Sequence, residues 1–60
     1  MQLNKLELEN LRHLIFSHET AAQKLEYYAD HVSDMQIKHM FQQSAQSARS
    51  TKQKLMSFLQ

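Results

Sequence analysis

The sequence predicts an all-α fold, an antiparallel hairpin of two helices that pairs with a second copy to make a four-helix bundle. Three observations carry this reading. The 60 residues contain no glycine and no proline, so nothing within the chain breaks a helix by composition. Two helix-start signatures lie 29 residues apart, Leu3-Asn4-Lys5-Leu6-Glu7-Leu8 and Val32-Ser33-Asp34-Met35-Gln36-Ile37. Apolar residues then recur at steps of three and four after each start, the period of one helix face.

The first helix is expected from about residue 5 to 31. Asn4 is placed to accept a hydrogen bond from an orphan N–H of the first turn, and Glu7 to reach back to the cap. Leu3 and Leu8 form the accompanying hydrophobic staple. The stripe Leu8, Leu11, Ile15, His18, Ala22, Leu25, Ala29 and Val32 follows, widened on one side by Leu14, Ala21 and Tyr28. A tight turn at Val32-Ser33 leads to the second helix, expected from about 34 to 59. There Ser33 and Gln36 repeat the capping box, and Val32 and Ile37 the staple. Its stripe is Ile37, Phe41, Ser44, Ala48, Thr51, Leu55 and Phe58, flanked by Met40, Ala45 and Leu59. Facing residues sum to about 66, so Leu25 meets Phe41, Leu11 meets Leu55, and Leu8 meets Phe58. His18 then faces Ala48 among small residues.

One domain, residues 1–60, is all this length allows, and a hairpin has a single internal layer of contact. Domains of this size are marginal and need a staple. There is no cysteine and no zinc-type spacing, which leaves association, most simply as a symmetric dimer. The expected core and dimer interface is Leu8, Leu11, Ile15, His18, Ala22, Leu25, Val32, Ile37, Phe41, Ala48, Leu55 and Phe58. The net charge of +1 does not call for a polyanionic partner. Residues 1–30 hold three basic and five acidic side chains, residues 31–60 four and one. That asymmetry favours packing the first helix against the second. The start of the chain lacks a basic segment followed by an apolar run, and no stretch is long enough to span a bilayer. Synthesis in the cytoplasm without a signal peptide is the expectation.

Few residues of the sequence are arranged to support chemistry. A ferritin-type di-iron site uses Glu-x-x-His pairs, and the nearest match is Gln36-x-x-His39, whose amide carries no charge. The acids Glu19, Glu26 and Asp30 are expected on the solvent side. Without glycine there is no phosphate-cradling loop, and two helices provide no pocket for a nucleophile, a base and an orienting group. The basic tract Arg49 to Lys54 lacks interleaved aromatics, so no nucleic acid is expected. No cofactor, enzyme activity or membrane partner is expected either. His18 is the polar member of the core stripe, satisfied by Ser44, Thr51 or a backbone carbonyl. It is also the weak metal candidate, and the origin of an alternative reading as a metal- or pH-responsive binding module. A further alternative is an adaptor that uses Phe16 and Tyr27 on the far side of the first helix.

Tyr28-Ala29, Ser33-Asp34, Gln36-Ile37-Lys38, Met40-Phe41-Gln42-Gln43, Ala45-Gln46 and Lys54-Leu55-Met56-Ser57-Phe58-Leu59 resemble the helical core of coat F-type spore coat proteins. Leu11-Arg12-His13-Leu14-Ile15 is similar to the opening helix of that group. The group belongs to the ferritin-like helical superfamily of endospore-forming bacteria. The resemblance implies a structural, non-enzymatic role in a spore coat, with other coat proteins as possible partners. Members are usually longer and supply four helices from one chain. They also often carry histidines late in the second helix, where this chain has Ala48, Arg49 and Thr51.

Overall fold

The computed structural model describes residues 2–59. Helix α1 spans Lys5–His31 and helix α2 spans Met35–Met56, followed by a 3-10 turn over Ser57–Leu59. The two helices fold back on each other as an antiparallel hairpin, 46 × 14 × 11 Å at the Cα level. The radius of gyration is 14.1 Å, against about 10 Å for a compact globule of this length.

The start of α1 forms as its sequence predicts. The Glu7 N–H donates to Asn4 Oδ1 at 2.8 Å, and the Asn4 N–H donates to Glu7 Oε1 at 3.1 Å. Both halves of the capping box are present. The second start differs by one residue. Asp34, not Ser33, is the N-cap, and its Oδ1 accepts from the N–H groups of Gln36 and Ile37 at 2.8 and 3.0 Å. A carboxylate takes two orphan donors and also places negative charge at the positive end of the helix dipole, which a hydroxyl does not. The shift puts Ile37 in the position Gln36 was expected to hold, so α2 has no reciprocal box. Val32 and Ile37 likewise lose the spacing of a staple.

The reversal needs no glycine. Val32 (φ −105°, ψ 141°) and Asp34 (φ −71°, ψ 122°) are extended, and no described residue has positive φ. At the other end α2 stops at Met56 instead of continuing to 59, and the Ser57 hydroxyl donates to the Lys54 carbonyl at 2.6 Å.

The seam is narrow. Leu11, Ala22, Ala29 and Ala45 are buried among the described residues, and three of the four are alanines, which let two backbones approach closely. Leu8, Ile15, His18, Leu25 and Val32 on the α1 side of this seam are half-buried, as are Phe41, Ala48 and Leu55 opposite. Tyr28 leans on Phe41, ring centroids 5.7 Å apart. Ser44 and Thr51, expected on the inner stripe, are exposed, and Ala45 takes the seam instead. Turning α2 this way leaves two hydroxyls in water, where they cost nothing to desolvate. It also carries Arg49 and Lys52 to the edge of α1.

Candidate functional site

The seam has two flanks of opposite character. On one, Arg49 lies between two acids of α1, with Nη1 2.9 Å from Glu19 Oε1 and Nη2 2.7 Å from Glu26 Oε1. The Lys52 ammonium joins Glu19 Oε1 at 3.1 Å, and Gln23 Nε2 donates to Glu19 Oε2 at 2.8 Å. Glu19 was expected on the solvent side but is half-buried at the seam edge. The side-chain bond from Gln23, then that from Lys52 and the charges of Arg49 and Lys52, lower its pKa from 4.5 to about 2. Arg49 is held more firmly protonated, first by its bond to Glu26. The cluster ties this flank together with two acids and two bases, beside a cavity of about 340 Å³ lined by Glu26, Ala29, Ala45 and Arg49.

The other flank carries no such closure. Leu14, Ala21 and Tyr28 follow one another at steps of seven along α1, and Ile37, Ser44, Thr51 and Phe58 do so along α2 and the turn after it. All seven are exposed. With Met40, the large members Leu14, Tyr28, Ile37 and Phe58 are between 41% and 55% exposed. At the free end of this flank the two helices part around a groove of about 320 Å³ lined by Leu3, Leu11, Leu14, Leu55 and Phe58, with Glu7 and Asn10 at its rim. Glu7 is engaged in its cap. Of the expected interface residues, Ile37 and Phe58 thus lie on this face and not in the seam.

His18 is half-buried. Its Nδ1–H donates to the Leu14 carbonyl at 2.7 Å, the backbone option among the partners expected for it. That bond fixes the tautomer and leaves Nε2 as the acceptor. His31 is tied in the same way to the Tyr27 carbonyl, and its ring stacks on Tyr27 at 4.1 Å. Among the described residues no group of three or more His, Asp or Glu is gathered as a metal site. No described helix is long and apolar enough to cross a membrane. Phe16, 75% exposed, lies on the outer surface of α1 next to Glu19 and Lys52, and Tyr27 lies edge-on to Tyr28 at 6.2 Å.

Sequence reasoning had every residue of the open flank but spread them between core and flank. The steps of seven were the signal that separates them. A scan against family models finds no match, and no curated protein and no solved structure matches the chain.

Proposed function

We propose that this chain is a non-enzymatic, self-assembling structural protein that works as a homodimeric four-helix bundle, serving as a component of a spore coat. The observation that carries the assembly is surface area. The hairpin exposes 4924 Å², whereas a compact monomer of 7.1 kDa exposes about 4,100 Å². The excess, about 800 Å², equals what one partner contributes to a standard protein interface. One leucine and three alanines are too small a buried core to offset the entropy of ordering two helices. A second copy brings an apolar face of the same length. The coat assignment is supported by the sequence resemblance.

Sedimentation equilibrium at micromolar concentration tests the assembly, with twice the 7.1 kDa chain mass expected. A stable, folded monomer overturns it. Immunodetection in extracts of purified spores against vegetative cells tests the coat role, which fails if the protein is absent from the spore fraction.

The tethered tautomer of His18 favours one second reading, a metal- or pH-responsive module, because Nε2 remains available as a ligand. Elemental analysis of untagged protein and a His18→Ala comparison decide it. Absence of metal together with unchanged assembly from pH 5 to 8 removes it.

A further inference from the structure

The open flank is not uniform along its length, and its unevenness orients the dimer. Near the turn it carries bulk, Tyr28, Ile37 and Met40. Its middle is smaller, with Ala21, Ser44 and Thr51. Its free end holds the groove between Leu3, Leu14, Leu55 and Phe58. Two such faces meet in one of two symmetric ways. With the turns at the same end, bulk stacks on bulk and groove on groove, which leaves a crowded layer and a doubled void. Protein interiors tolerate neither. With the turns at opposite ends, each copy's bulky end lies over the other's groove, and the match occurs twice because the contact is isologous.

We infer that two copies of this chain pack face to face through the open flank with their turns at opposite ends, α1 against α1 and α2 against α2. This inference rests on the self-assembly reading above. Sequence spacing supports the register. The levels Leu14 with Thr51 and Ala21 with Ser44 are seven residues apart on each helix, so superposing one copy's first level on the other copy's second aligns all the levels. Tyr28 and Ile37 then lie over the level of Glu7 and Phe58 in the second copy. The two-fold axis crosses α1 midway between residues 14 and 21, which places residues 17 and 18 of the two copies at the same level. Charge does not oppose the arrangement, because Glu19, Glu26, Arg49 and Lys52 balance one another on the far flank.

Sedimentation combined with spin-label distances tests this. The chain has no cysteine, so Ser33→Cys labels the turn alone and Lys5→Cys, in a second preparation, labels the free end. Both positions are exposed. A dimer with both label pairs about 40 Å apart, the length of a 27-residue helix, is the expected result. A dimer with both distances below about 25 Å, little more than two helix diameters, overturns the orientation and leaves the self-assembly reading standing. Mixed short and long distances from a larger assembly overturn the orientation too. A folded monomer overturns both.

Discussion

The two flanks of the seam are built from the same pair of helices, yet they use opposite chemistry. The charged flank is closed within the chain. Glu19 and Glu26 of α1 each find a base of α2, carried across the seam by Arg49 and Lys52. The apolar flank has no charged pair across it; Tyr28 meets Phe41 of α2 at 5.7 Å, and its other large residues stay about half exposed. The comparison teaches that a single rotation of α2 about its own axis serves both flanks. The same rotation that brings Arg49 to Glu19 and Glu26 swings Ile37, Ser44 and Thr51 out to the other side. One flank is tied by charge within the hairpin, and the other stays exposed.

The comparison breaks most severely if the seam under both flanks is lost. Phe41→Asp puts a charge where the ring meets Tyr28, and the expected cost is several kcal/mol. Circular dichroism should show helix and dimer disappearing together, and a folded monomer would mean that the seam stands without its flank. Next in size is the apolar flank itself. Tyr28→Ser with Ile37→Ser should weaken dimerisation ~10-fold or more, a loss of at least ~1.4 kcal/mol, read by sedimentation. Phe16→Ser, on the outer surface, should leave it unchanged. Equal effects of the two would remove the flank's special role.

A change at the cap touches neither flank and calibrates the other two. Asp34→Ala should cost about 1 kcal/mol in thermal or urea unfolding, and Ser33→Ala close to nothing, since the structure gives the cap to Asp34. The reverse order would restore the cap to Ser33. The smallest effect is expected from the charged flank, because partly exposed ion pairs are weak and screened by salt. Glu19 has a folded-state pKa of about 2, below its ordinary 4.5. Its contribution is therefore complete above about pH 4.5 and is lost as pH falls toward 2. Glu19→Gln should lower the melting temperature slightly at pH 7 and flatten its decline between pH 4.5 and 2. An unchanged acid slope would show that the cluster is decorative.

Much of this was legible in the residues. The first cap, the helix count, the position of the turn and the pairing of an acidic with a basic half follow from local rules and short-range spacing. His18 was identifiable as the polar member of a core stripe. The second cap was misread because Ser33 and Asp34 are both good caps in adjacent positions, and local preference alone separates them weakly. The inner stripe of α2 was misread for a related reason. Ile37, Ser44, Thr51 and Phe58 form as regular a series as Phe41, Ala45, Ala48 and Leu55, and a periodicity shows that a helix has a face without saying which neighbour the face meets.

By itself the sequence determined that this chain is two helices, where the first begins, and that both carry more apolar surface than one contact can bury. Helix period, caps and composition are properties of neighbouring residues, so they need no partner to be read. Only the tertiary structure decided how α2 is rotated, that Glu19 and Glu26 close one flank through Arg49 and Lys52, and that the heptad-spaced stripes lie together on the other. Those are relations between residues some twenty to thirty positions apart, set by which packing leaves charges paired and hydroxyls wet.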